Sequence, residues 1–154
     1  MSEEPNITNN EADASAGLDN PMHKKLGMRA QATGLIVAPP GDDDNPLLPL
    51  PAGFSTIAGL SDLASTTGQF DYIQVFARDK GELASAFAQL RERLASGGTL
   101  WISWMKQGAR SGSLLGDLNE NVVRRLALSH ALTEVKMATL DRDWSALRLA
   151  HRKR

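Results

Sequence analysis

Residues 70–105 hold a strand, an amphipathic helix and a second strand in succession, and nothing else in this chain restricts its fold as much. Phe70-Asp-Tyr-Ile-Gln-Val-Phe-Ala77 is rich in aromatic and β-branched side chains, which suit a pleated, buried surface. Behind it Leu83, Phe87, Leu90 and Leu94 recur at helical spacing, while Glu82, Arg91, Glu92 and Arg93 mostly face outward. Gly97-Gly98 is expected to end that helix, and Thr99-Leu-Trp-Ile-Ser-Trp-Met105 has the composition of a further strand. Two strands joined by one crossover helix pair in parallel, with a right-handed connection. The expected fold class is therefore α/β with a mainly parallel sheet.

The flanking segments extend this unit. Ala32-Thr-Gly-Leu-Ile-Val-Ala38 is a mostly apolar run that predicts a strand buried on both faces, and it stops at Pro39-Pro40. From there to Pro51 the chain holds five prolines and the acidic run Asp42-Asp43-Asp44, leaving room for one helical turn over Asn45 to Leu50. A second short strand is expected over Phe54 to Ala58, and one short helix between Gly59 and Gly68. After a Gly/Ser-rich loop from Lys106 to Gly116, Asp117 suits an N-cap and Glu120 completes a capping box, with Leu118, Val122 and Leu126 as the buried stripe. Two alternating runs close the chain, Glu134 to Leu140 with Val135 and Met137 inward, and Ser145 to His151 with Leu147 and Leu149 inward. The link Asp141-Arg142-Asp143 predicts that they form an antiparallel pair.

At 154 residues the expectation is one folded domain, residues 21–154, behind an acidic, disordered tail over residues 1–20. That tail carries five acids, no basic side chain and no apolar run, so it lacks the pattern of an export signal. A formal net charge of −1 gives no gross drive toward nucleic acid or a membrane surface, and no apolar stretch nears the roughly 20 residues of a bilayer span. The absence of cysteine removes disulfides and thiolate chemistry and agrees with a cytoplasmic location. His23, His130 and His151 lie far apart in sequence, and none has a catalytic partner at a recognisable spacing.

Phe70-Asp-Tyr-Ile-Gln-Val-Phe, the helix ending Leu94-Ala-Ser-Gly-Gly98, and Thr99-Leu-Trp-Ile-Ser-Trp104 resemble the second half of a class I S-adenosylmethionine methyltransferase. From about Lys24 onward the chain is similar, more specifically, to small bacterial proteins known only as domain of unknown function 3052. The residues carrying this likeness are Lys25-Leu-Gly27, Leu48-Pro-Leu-Pro51, Phe70-Asp-Tyr-Ile73, Gly97-Gly98, Trp101-Ile-Ser-Trp104 with Lys106, and Asp143-Trp-Ser145. The resemblance implies a three-layer, Rossmann-like, reduced methyltransferase-like domain with an antiparallel C-terminal strand pair. It implies no established activity.

A methyl-donor site of this class needs a glycine-rich turn after the first strand, so that the cofactor can lie against bare backbone amides. Here that turn is Val37-Ala-Pro-Pro-Gly-Asp-Asp-Asp44, with one glycine, two prolines that donate nothing, and three acids facing the donor's carboxylate. The acid expected after the second strand arrives late, as Asp62. The expectation is accordingly a non-catalytic binding or regulatory module with no cofactor. S-adenosylmethionine-dependent methyl transfer is the alternative, and small-anion or nucleotide binding a second. The candidate site is the carboxyl edge of the strands. There Trp104, Lys106, Arg110, Ser111, Asp117 and Trp144 are the candidate ligand-facing residues for a small anion or an acidic partner protein, with no catalytic group and no metal.

Overall fold

The computed structural model describes residues 20–106 and 117–152. The 1–19 portion of the expected tail, together with Arg110 and Ser111, lies outside the described residues. The first helix, α1 (Pro21–Leu26), is capped by Asn20, whose side chain accepts from the Met22 N–H at 2.8 Å, and Pro21 occupies the first turn, where no intrahelical donor is needed. Gly27 closes it at φ 82°, in the left-handed region.

Six strands follow: β1 (Gly34–Val37), β2 (Phe54–Ile57), β3 (Phe70–Phe76), β4 (Leu94–Met105), β5 (Leu132–Thr139) and β6 (Trp144–His151). They form one sheet in the order β2-β1-β3-β4-β6-β5. The first four are parallel, with Val37 beside both Ile57 and Val75, and Val75 beside Ile102. β6 runs antiparallel between β4 and β5, so the closing pair expected from the sequence is present and docks onto β4 through its second member.

The two remaining helices, α2 (Lys80–Arg93) and α3 (Glu120–Ser129), cover one face of the sheet together with a 3-10 helix over Leu60–Ser65. Leu35, Val37, Ile73, Val75, Leu100, Ile102, Leu147 and Leu149 point into that layer, where they meet Leu83, Phe87, Leu90, Val123 and Ala127. The opposite face carries Ile36, Tyr72, Phe76, Trp101, Trp144 and Ala146 under a thinner cover of Leu26, Met28 and Leu47. The three layers expected for the chain are therefore present, the third being one short helix and connecting segments.

Several boundaries differ from those expected from the sequence. The first strand is shorter, and the helical turn expected over Asn45 to Leu50 falls instead on Asp42–Asp44. Pro46 and Pro49 break the later segment, and the Asn45 side chain turns back to accept from the Leu47 N–H at 2.9 Å. α2 ends at Arg93, before Gly97-Gly98; Arg93 donates to Thr66 Oγ1 at 3.1 Å and to the Thr66 carbonyl at 2.8 Å, which pins the helix end. The glycines lie inside β4, with Gly97 at φ 77° near a register shift against β3. Asp117 does not cap the helix beyond it. Asn119 does, accepting from the Val122 N–H at 2.9 Å, and the buried stripe of α3 turns to Val123 and Ala127. Val135 and Met137, expected inward, are 49% and 45% exposed, because a bulge between Glu134 and Lys136 breaks the alternation on β5.

Candidate functional site

The strand order reverses between β1 and β3: from β1 the chain builds outward to β2, then returns to place β3 on the other side. Loops leaving such a reversal diverge and open a crevice at the carboxyl edge, which is where open α/β sheets take their ligands. The residues there are Ala38 after β1, Ala58 and Gly59 after β2, Ala77 to Asp79 after β3, and Lys106 after β4.

Ala38 is one of two described non-glycine residues at positive φ, at 57°. Its N–H donates to the Ile57 carbonyl at 2.9 Å, and its own carbonyl accepts from Arg78 Nη1 at 2.7 Å. The same Nη1 reaches the Phe76 carbonyl at 3.0 Å, so one guanidinium ties the turn after β1 to the end of β3. Its carbon lies 5.4 Å from the centre of the Trp144 ring, a cation–π arrangement, and Trp144 meets Phe76 edge-on at 5.0 Å. Burial holds the Arg78 guanidinium below its ordinary pKa, and Glu82 partly opposes that shift.

Acids at this edge are turned onto backbone amides. Asp79 caps α2 by accepting from the Glu82 N–H at 2.7 Å, and Asp117 accepts from the Lys80 N–H at 3.0 Å. Asp141 accepts from the N–H groups of Asp143 and Trp144 at 2.8 and 3.0 Å. Asp62 bends back to the Gly59 N–H at 3.1 Å. Asp42, Asp43 and Asp44 remain exposed on the turn after β1, and the space before Gly41 is open. Beside the end of β2 a groove of about 270 Å³ runs along α2, lined by Leu60, Ser61, Glu82, Ser85, Ala86 and Gln89.

Of the residues named from the sequence, Lys106 does reach the edge. Its N–H donates to the Asp143 carbonyl at 2.9 Å and its Nζ to the Asp141 carbonyl at 2.9 Å. Asp117 reaches it too, but as the partner of α2. Trp104 and Trp144 are only 5% and 4% exposed and serve opposite faces of the core, which leaves a ligand almost none of either ring and corrects the aromatic rim expected from the sequence. Arg78 is not among the residues named from the sequence, although it is the first charged side chain past a central parallel strand. The three histidines each face a backbone carbonyl: His23 that of Leu47 at 2.7 Å, His130 that of Leu126 at 2.9 Å, and His151 that of Leu94 at 2.8 Å. Among the described residues no group of three or more His, Cys, Asp or Glu is arranged to hold a metal ion. No helix there is long and apolar enough to cross a membrane.

No family model and no curated protein matches this sequence. Solved structures do. The N-methyltransferase NodS from Bradyrhizobium japonicum is 22% identical, with 88% of this chain and 99% of that one aligned at a TM-score of 0.55. The fold is that of the class I methyltransferases. A methyltransferase from Clostridium acetobutylicum aligns over 93% of this chain and 94% of its own at a TM-score of 0.55 and 10% identity. The glycopeptide N-methyltransferase MtfA aligns over 92% and 91% at 0.57 and 13%. These neighbours overturn the expectation of a fold without a cofactor: NodS has been solved in complex with S-adenosyl-L-homocysteine, and a Burkholderia thailandensis N-methyltransferase of the same fold with S-adenosylhomocysteine. That expectation rested on the one glycine, two prolines and three acids of the turn after β1 and on the late Asp62.

Proposed function

We propose that this chain is an S-adenosylmethionine-dependent methyltransferase of reduced size, with its donor bound at the carboxyl ends of β1, β2 and β3. The observation that carries this reading is the reversal of strand order between β1 and β3, within a fold shared with methyltransferases over about nine tenths of both chains. It takes the place of the non-catalytic module expected from the sequence.

The residues present fit the donor in charge. S-adenosylmethionine carries an ammonium, a sulfonium and one carboxylate, a net cation, and the exposed carboxylates of Asp42, Asp43 and Asp44 complement its positive groups. Pro39 and Pro40 offer no N–H, so backbone contact begins at Gly41, where no side chain stands in the way. The groove beside α2 presents Leu60 and Ala86 to an apolar ring face, with Ser61, Ser85 and Gln89 at its margin as hydrogen-bonding groups, a lining suited to a purine. When bound, the donor supplies a methyl group already activated by the positive sulfur. What the protein adds is orientation and exclusion of water.

Isothermal titration of the full chain with S-adenosylmethionine tests the reading. Stoichiometric binding in the micromolar range is expected, weakened about tenfold by the triple change Asp42→Asn, Asp43→Asn, Asp44→Asn. No binding at millimolar ligand would overturn the proposal.

A further inference from the structure

Arg78 and Lys106 are the cations at the carboxyl edge whose bonds among the described residues go to carbonyls alone. Arg78 is exposed and Lys106 half-buried, so Lys106 is the one of the two that would ordinarily find a carboxylate. Four of the acids at this edge, Asp79, Asp117, Asp141 and Asp62, accept from backbone amides, while Asp42, Asp43 and Asp44 lie exposed after β1 and Glu82 acts on Arg78 through its charge. Among the described residues, neither cation's hydrogen bonds go to those four carboxylates. Both cations are also held in place. Arg78 is fixed by two carbonyls through a single nitrogen, Nη1, and by the Trp144 ring beneath it, so among the described residues Nε and Nη2 have no hydrogen-bond partner. Lys106 is fixed by the carbonyls of Asp141 and Asp143, in the turn that leads into Trp144, and one of its three ammonium donors is engaged. A guanidinium fork on the Trp144 ring and an ammonium held by the turn before Trp144 suit a group with two or three equivalent oxygens.

We propose that Arg78 and Lys106 form a seat for a carboxylate or phosphate group of the methyl acceptor, so that the substrates of this protein are small anions. Assigning the anion to the acceptor rests on the methyltransferase reading; the seat itself does not. Arg78 ties the turn after β1 to the end of β3, at the strand reversal where the donor is placed, and an anion gripped by it would be held next to the transferable methyl group. Two sources of the same chemistry must be separated, because the donor carries a carboxylate of its own.

The test uses the full chain. Inorganic phosphate is titrated at fixed pH and ionic strength, with chloride as the balancing salt, and followed by tryptophan fluorescence and by melting temperature. Wild-type protein is expected to bind phosphate saturably, Arg78→Gln and Lys106→Gln each to weaken it about tenfold, and Arg78→Lys, which keeps the charge and loses the fork, to fall between. Lys106→Gln and Arg78→Lys leave the Ala38 turn tied or lightly changed, so they remain informative if Arg78→Gln does not fold. Phosphate binding that is absent in wild type, or equal in all variants, overturns the seat. S-adenosylhomocysteine and methylthioadenosine, which lacks the amino-acid portion, are then titrated into wild type and Arg78→Lys. Unchanged affinity for both supports the acceptor assignment. A loss for S-adenosylhomocysteine alone gives the seat to the donor's carboxylate and overturns it. If neither nucleoside binds wild type, the proposed function and the acceptor assignment fail together, while the phosphate titration still decides the seat.

Discussion

Gln74 interrupts an apolar strand in the sequence, and only the fold shows why it is tolerated. It lies fully buried on the thinly covered face of the sheet, accepts from the Tyr72 hydroxyl at 2.5 Å and donates to Ser103 Oγ at 3.1 Å. A polar group there without partners would cost a few kcal/mol, roughly 1–3 for each unsatisfied atom, so the three side chains are mutually required. Burial pushes the Tyr72 phenol well above its ordinary value of 10.0, and Arg148 opposes the shift. The folded chain thus holds this proton more tightly than the unfolded chain does. Stability from it is complete below pH 10.0 and is lost as the pH rises from there toward the folded-state value. Tyr72→Phe should cost about 1–2 kcal/mol at neutral pH, by stranding the Gln74 oxygen, and should flatten the alkaline loss. Urea unfolding between neutral pH and the alkaline limit measures both effects, and an unchanged alkaline slope would refute the assignment. Arg78 belongs to the same scale: the sequence places it after a strand, but its value lies in the Ala38 carbonyl, forty positions away, which it shares with Phe76.

At the scale of elements, the sequence located most strands and helices and misjudged how they end. α2 was visible from Leu83, Phe87 and Leu90, all fully buried, because a helix facing one sheet needs one apolar stripe. Its start depends on two carboxylates, the local cap Asp79 and the distant Asp117, and no local pattern distinguishes the second from a cap of its own helix. The consequence is an asymmetry that can be measured. Asn119→Ala should destabilise the protein by about 1 kcal/mol and raise amide exchange in the first turn of α3, at Val122. Asp117→Ala should instead raise exchange at Lys80, in the first turn of α2. Faster exchange at Val122 rather than Lys80 in Asp117→Ala would restore the cap inferred from the sequence. The β5 bulge is of the same kind: alternation in Glu134 to Leu140 is intact in the sequence, yet Glu134 faces Leu149 across the ladder and is drawn to Arg124 at 2.6 Å, which turns Val135 and Met137 outward.

For the molecule as a whole, β5 is an edge strand, and the exposed large hydrophobic residues among the described ones are Leu128 of α3 with Val135 and Met137 of β5. Because Met137 contributes little to the core, Met137→Lys should change unfolding free energy by no more than about 0.5 kcal/mol in urea titration. A loss well above that would place Met137 in the core after all. The sequence by itself determined the α/β class, the parallel βαβ unit and the antiparallel closing pair, because these follow from hydrophobic periodicity and connection length, which are local properties. It also pointed to the carboxyl ends of the strands as the candidate edge, where open α/β sheets take their ligands. Only the tertiary structure decided that β6 inserts beside β4, which acids are consumed as caps, and that Arg78 ties the turn after β1 to the end of β3. Each of those depends on which of several competing partners a polar group or strand edge meets across the fold, and local spacing carries no record of that competition.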